Sequence, residues 1–232
     1  MIDVSVLIPV YRADLTINRA IRSALAQSVP VEVICVDDCP DHRTHRTYGV
    51  MDGVLWFNHV NNAGPGAALE TAANEARGRY CLMLGDDDWL EPGCLLPLVH
   101  AMNNQPALAF AYGATQYHGQ RSDLHQPLAF RRDDFYHHFP ALYAYLWRRE
   151  WKEQYGLRYQ DEVFAGRWLG APDWDMALQL LRWGDGLALP DVTVLNHVLR
   201  QGRMTEIVRA GAAQVMASMR ARHPELSEDA TI

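Results

Sequence analysis

The sequence has no excess of basic charge: 21 Lys and Arg stand against 28 Asp and Glu, a formal net charge of −7 over 232 residues. That argues against binding a nucleic-acid backbone as the main task, because such proteins present a basic face. An acidic chain still binds a nucleotide when a divalent cation supplies the missing charge. Long apolar runs are missing too. The opening "MIDVSVLIPVY" has no basic leader and meets Pro9 within a few residues, so it reads as a first strand and not as a signal peptide or membrane span. Cysteine is scarce: Cys35, Cys39, Cys81 and Cys94 have no Cys or His partners at zinc spacing. Reduced, buried thiols in a cytoplasmic protein are expected, with peripheral attachment to the inner membrane face left open. The stretch after the first strand, "PVYRADLT", contains no glycine, which excludes a glycine-rich triphosphate cradle there. Internal repeats and low-complexity linkers are also absent.

What is present suits one large α/β domain. Hydrophobic residues make up 49% and charged residues 21%, enough for a sizeable core. "VSVLIPV" (4–10), "VEVICV" (31–36), "GVLWFN" (53–58) and the apolar residues from Tyr80 to Leu84 read as strands buried on both faces. Between them, Ile17, Ala20, Ile21, Ala24 and Leu25 form a helical stripe that Asp14 is placed to cap. An alanine-rich helix follows "NNAGPG", whose glycines either cradle an anion or simply join loop to helix. This alternation predicts a mostly parallel sheet with helices on both faces, and ligands bind such sheets beyond the carboxyl ends of the strands. Here those ends carry "PVY", "VDD" and "GDDD". Three neighbouring carboxylates, Asp86, Asp87 and Asp88, repel one another, so either a solvated turn or a bound cation is expected.

Beyond Pro92 the pattern loosens. A helix through 95–102, with Pro97 in its first turn, and a strand over "ALAFAYGATQYH" are expected. Residues 119–138 read as a mobile loop, and 141–156 as a helix ended by Gly156. "DWDMALQLLRWGDG" reads as a helix with Met176, Leu180 and Leu181 inward, "LALPDVTVLNHVL" as a strand, and 205–222 as a last helix before a frayed tail. The pattern divides the chain into 1–113, 114–204 and, for the C-terminal helix and tail, 205–232.

In order and spacing, "VSVLIPVYRADLTINRAIRSALAQS", "VEVICVDDCPD", "NNAGPGAALETAANEARGRYCLMLGDDDWLEP" and "APDWDMALQLLRWG" resemble the motifs of family 2 glycosyltransferases. The likeness is close from Val4 to about Leu90 and moderate over 146–184. It implies an A-type glycosyltransferase fold, a Rossmann-like, mostly parallel sheet flanked by helices, with a smaller acceptor-side region. It further implies transfer with inversion from a nucleotide-diphospho-sugar, UDP-sugar favoured, to a carbohydrate or lipid-linked hydroxyl, in glycan or surface-polysaccharide synthesis.

Carried over by position, the resemblance puts Pro9 and Tyr11 beside the nucleotide. Asp38, with Asp37 second, accepts a hydrogen bond from the base. Asp86 and Asp87 serve the ribose and the site, and Asp88 with Asp86 holds Mn²⁺ or Mg²⁺, hard cations that suit carboxylate and diphosphate oxygens. Asp173, opening a helix, is the expected catalytic base, with Asp175 in reserve. Helix capping is the plain alternative for Asp173. Gly85, Leu69 and Pro172 stand where the family often has Asp, Arg and Glu, which keeps open a non-catalytic nucleotide-sugar or glycan-binding module. "QLLRW" looks like a processive-synthase motif but lies six residues after Asp173 without membrane spans, and is read as core. Arg200, Arg203 and His197 are candidate diphosphate or metal contacts, and His137-His138 a loop pair. Tyr143, Tyr145, Trp147, Trp151 and Trp168 form either a sugar-stacking wall or, more simply, core.

Overall fold

The computed structural model describes residues 1–13, 15–42, 51–137, 144–161, 163–164, 167–168, 171–199 and 212–226, with only the backbone of 163, 164, 167, 168 and 212. Asp14, His138, Tyr143, Arg200, Arg203, the side chain of Trp168, the start of the last helix and the tail from 227 lie outside these.

Four parallel strands build the first half of one sheet. They are β1 (Val4–Val10), β2 (Val31–Asp37), β3 (Val54–Asn58) and β4 (Tyr80–Met83). Their apolar runs are nearly continuous because both faces are covered. On one face Val4, Val6, Ile8 and Val10 join Val33, Cys35 and Leu82 against α1 (Ile17–Leu25). On the other, Leu7, Ile34, Val36 and Cys81 meet α2 (Pro65–Glu75). Register aligns the carboxyl ends, with Val10 opposite Asp37 and Asp37 opposite Asn58. Leu7 lies opposite Met83, so the turn after β4 emerges at the same edge.

The sheet continues as β3-β2-β1-β4-β8-β6-β11-β5, with β7 paired to β6. Here β5 is Trp89–Leu90, β6 Leu108–Gly119, β7 Leu124–His125, β8 Tyr145–Arg148 and β11 Asp185–Leu199. The pairs β4–β8 and β8–β6 are antiparallel, while β6–β11 is parallel, so the sheet is mixed beyond its first four strands. The strands β9 (Val163–Phe164) and β10 (Arg167–Trp168) form a separate antiparallel pair. The division drawn at residue 113 falls inside β6, within one continuous sheet. Among the described residues, no helix is long and apolar enough to cross a membrane.

Two stretches depart from expectation. Tyr145–Arg148 is a strand, not part of a helix, and only Glu150–Tyr155 (α5) is helical before Gly156 closes it in the left-handed region. All four strand residues are buried: Tyr145 and Trp147 face one core and Leu146 the other, an alternation that suits aromatic residues in a sheet buried on both faces. The interval read as a mobile loop holds β7 and α4 (Arg132–His137), where Phe130 and Phe135 pack around Phe110 at ring-centroid distances of 6.0 and 5.5 Å. Tyr145, Trp147 and Trp151 are core, so they form no exposed sugar-stacking wall. Leu180 and Leu181 are also core, at the end of α6 (Pro172–Leu180). All four cysteines are free and buried.

Arg148 shows how the middle of the sheet is fixed. Its guanidinium donates to the carbonyls of Met102 (2.6 Å), Gln105 (3.0 Å) and Leu108 (2.9 Å), satisfying acceptors at and beyond the end of α3 (Leu95–Asn104). A cation at a helix C-terminus also matches the helix dipole. Arg148→Met removes buried charge-assisted bonds and leaves those carbonyls dry, so a loss of about 3 kcal/mol is expected in urea unfolding.

Candidate active site

At the aligned strand ends, backbone N–H groups hold acidic side chains. Half-buried Pro9 lies in the last turn of β1, and Tyr11, with its ring exposed, donates its backbone N–H to Asp86 Oδ2 at 2.9 Å. The buried Asp37 side chain accepts from the Cys39 N–H at 3.1 Å. Asp38 accepts from Ala63 N–H and Gly64 N–H at 2.9 and 2.8 Å, and from His59 Nδ1 at 2.7 Å. Asp38 thereby fixes the loop that begins α2. Gly64 there takes a φ of 94°, a left-handed value suited to glycine.

The start of α2 already has its anion. Asp161 Oδ2 accepts from the backbone N–H groups of Gly66 (2.7 Å) and Ala67 (3.2 Å). A Cβ at residue 66 would lie 2.8 Å from that carboxylate, so Gly66 gives the space Asp161 fills, rather than a phosphate cradle. Burial pushes the Asp161 carboxyl up, and the two N–H groups pull it back. Nothing in the sequence marks this contact, which joins residues 95 apart. Leu69, where the family often has Arg, is fully buried in the core. Its neighbour Glu70 binds the buried Lys152 at 2.7 Å and accepts from the Tyr159 N–H at 3.0 Å.

Asp88 is anchored through both of its carboxylate oxygens. Its Oδ2 accepts from His197 Nδ1 and its Oδ1 from the Val198 N–H, each at 2.8 Å. The short β5–β11 pairing, Asn196 opposite Trp89, brings these partners to the triplet. Gly85 makes room for the arrangement: a Cβ there would lie 2.7 Å from Asp88 Oδ2. From the other side, Arg19 donates to the carbonyl of Asp87 at 2.7 Å and covers the Trp89 ring, 3.7 Å from its centroid. Among the described residues no three His, Cys, Asp or Glu side chains form a ready-made metal cage. Two carboxylates in one turn nevertheless fit a hard cation that takes its remaining ligands from diphosphate and water.

Across the site, α6 begins with Pro172 at its first position, a residue preset for a helix start, and Asp173 follows. Tyr145 Oη donates to the Asp173 carbonyl at 2.6 Å, and Trp174 Nε1 to the Phe135 carbonyl at 2.7 Å. Burial pushes the Asp173 carboxyl up to about 6; the helix-start N–H groups and the nearby His197 pull against that. His197, bonded to Asp88, thus lies close enough to Asp173 to influence its carboxyl. Asp175 points elsewhere, held by His223, Arg222 and Gln179, which removes it as a reserve base.

Known proteins give this geometry a context. The first 100-residue match, 37% identical, is to the succinoglycan biosynthesis protein ExoO of Rhizobium meliloti (strain 1021), covering 42% of this chain and 29% of ExoO. A poly(ribitol-phosphate) beta-glucosyltransferase of Bacillus spizizenii (strain ATCC 23059 / NRRL B-14472 / W23) is 31% identical over 104 residues, which is 40% of this chain and 16% of that protein. The chain thus matches less than a third of these relatives' length. In fold, S. aureus TarS residues 1–349, solved in complex with UDP-GlcNAc, superposes with a TM-score of 0.74 at 17% identity. That superposition covers 96% of this chain and 67% of TarS 1–349. Residues 5–165, more than half of the sequence, match the family model described as Glycosyl transferase family 2, and the chain belongs to that family.

Proposed function

We propose that this chain transfers a sugar, with inversion, from a nucleotide-diphospho-sugar to a hydroxyl of a carbohydrate or lipid-linked acceptor, in glycan or surface-polysaccharide synthesis. The reading rests on one observation above the rest: buried Asp173 lies within electrostatic reach of the His197 that is bonded to Asp88. In this reading a proton acceptor and an anionic, cation-competent turn border the same space. Family membership and the polysaccharide-related names of the relatives support it. The UDP-GlcNAc held by TarS favours a UDP-sugar as donor.

In this reading Pro9, Tyr11, Asp37 and Asp38 border the nucleoside, and Asp86 and Asp87 the ribose and diphosphate. Asp88 and Asp86 hold Mn²⁺ or Mg²⁺, which when bound offsets the negative charge of the departing diphosphate. The acceptor hydroxyl attacks the anomeric carbon from the side of Asp173. As the new C–O bond forms, the bond to the diphosphate breaks and its electron pair leaves with the phosphate oxygen. The hydroxyl proton passes to the Asp173 carboxylate. A carboxyl with its pKa at about 6 is a stronger base than an ordinary aspartate and is still ionised at neutral pH. The buried, apolar Leu69 is the observation that favours the second reading, a binding module without transfer.

Asp173→Asn separates the two. Transfer is expected to fall at least about 100-fold while donor binding survives, whereas full transfer removes Asp173 as base. In the native enzyme, kcat/KM is expected to drop below about pH 6 as Asp173 takes up a proton. The same shift has a stability consequence. A carboxyl whose folded pKa is raised stabilises the fold when protonated, and that contribution is lost as pH rises through about 6. Asp173→Asn should therefore raise the melting temperature at pH 7.5, by at most about 3 kcal/mol of stability. The gain should vanish below pH 4.

Gly85→Ala probes the cation turn without touching a carboxylate. Its Cβ would press on Asp88 Oδ2, which His197 and Val198 hold in place. Donor binding raises the melting temperature of a native protein. A UDP-sugar with Mn²⁺ should do so for the native protein and much less for Gly85→Ala; an equal rise in both would count against Asp88 as a ligand.

A further inference from the structure

Three successive residues at the start of α6 are pinned by three different elements. The Asp173 carbonyl accepts from Tyr145 of β8, and the Trp174 indole donates to α4. The Asp175 carboxylate is held from the C-terminal segment, α7 (Ala212–Arg222) and the 3₁₀ turn Pro224–Leu226. This leaves the Asp173 side chain as the part of that turn reserved for chemistry, with its direction set by the other anchors. The third anchor has no part in the mechanism above.

It is built as a buried relay. His223 Nε2 meets Asp175 Oδ1 at 2.9 Å, and both residues are almost fully buried. The other ring nitrogen, Nδ1, lies 3.1 Å from Arg182 NH2, which can only donate. Nδ1 therefore accepts from Arg182, and Nε2 donates to Asp175. Arg182 is held in turn by Glu225 and by the Arg222 carbonyl at 3.1 Å. Around Asp175, Arg222 NH1 stands at 3.3 Å and Gln179 Nε2 at 2.7 Å. Gln179 clasps the backbone of Arg158, accepting from its N–H at 3.0 Å and donating to its carbonyl at 2.7 Å. A hydrogen-bonded histidine is a directional clamp on a buried carboxylate, where a bare ion pair would tolerate rotation.

We propose that His223 is a positioning residue for transfer: through Asp175 it fixes the first turn of α6, and so the direction from which Asp173 meets the acceptor hydroxyl. The C-terminal segment thereby completes the acceptor side of the site. This rests on Asp173 being the base, and the test keeps the two ideas apart. A small displacement of a reacting group by a change outside the site is enough to lower turnover steeply.

In the full chain, His223→Ala is expected to lower kcat roughly ten- to a hundred-fold with donor KM nearly unchanged. His223→Gln, whose amide can still donate to Asp175, should recover most of that loss. Placed on Asp173→Asn, His223→Ala should take away nothing further, because a residue that acts through the base has no effect once the base is gone. Should His223→Ala not fold, Arg182→Gln removes the donor to Nδ1 together with the Arg182 contacts to Glu225 and the Arg222 carbonyl, and should give the same split in smaller measure. Native kcat in the folded variants, or an equal further loss in the Asp173→Asn background, overturns the positioning role. Full transfer by Asp173→Asn instead overturns the base assignment beneath it.

Discussion

The arrangement depends on backbone N–H groups meeting carboxylates at one edge of a sheet. Tyr11 N–H goes to Asp86, Val198 N–H to Asp88, Ala63 and Gly64 N–H to Asp38, and Gly66 and Ala67 N–H to Asp161. In each case the donor lies on a different element from the acceptor. Charge-assisted bonds of this kind are short and directional, and they favour the ionised acid. They let an acidic chain concentrate anions at one edge of the sheet. They also weld strands, loops and helix starts into one frame, so acid residues that would repel in a free turn hold the edge together.

Asp173 is placed by a different rule. It is buried, and the N–H groups of its own helix start and the nearby His197 offset that burial only in part, so its carboxyl is pushed up to about 6. Burial that costs the ionised form stability is the same burial that makes it a better proton acceptor. The acids of the strand edge are stabilised by donors, and the acid of α6 is left short of them. In the proposed mechanism, two environments for one side-chain type divide the labour of holding charge and moving a proton.

The nucleotide-side half was legible because its signals are local. Strands buried on both faces show as unbroken apolar runs, and the acids stand directly after them in "VDD" and "GDDD". The later half was less so. Tyr145–Arg148 carries only four residues of pattern, and its strand state comes from β4 and β6 on either side, which no local window contains. Residues 119–137 look polar, yet Phe130 and Phe135 anchor them to a cluster seeded by Phe110. Asp173 opens α6 as expected, but the Asp161 contact could not be read, since its partners are 94 and 95 residues away. The role of Asp175 was misjudged for the same reason: His223 lies 48 residues on.

The family match covers residues 5–165 and stops before α6. The physics of the two halves accounts for that boundary. Contacts to the acidic edge come largely from main-chain N–H groups, which many side-chain sequences supply equally well provided the strand register is kept. The acids themselves are then the main positions that must be particular, and they remain recognisable at low identity. Around α6 the contacts are side chain to main chain or side chain to side chain: Tyr145 to a carbonyl, Trp174 to a carbonyl, His223 to Asp175. Each such contact ties two specific residue types together, so a different acceptor, or a different C-terminal segment, demands a different set.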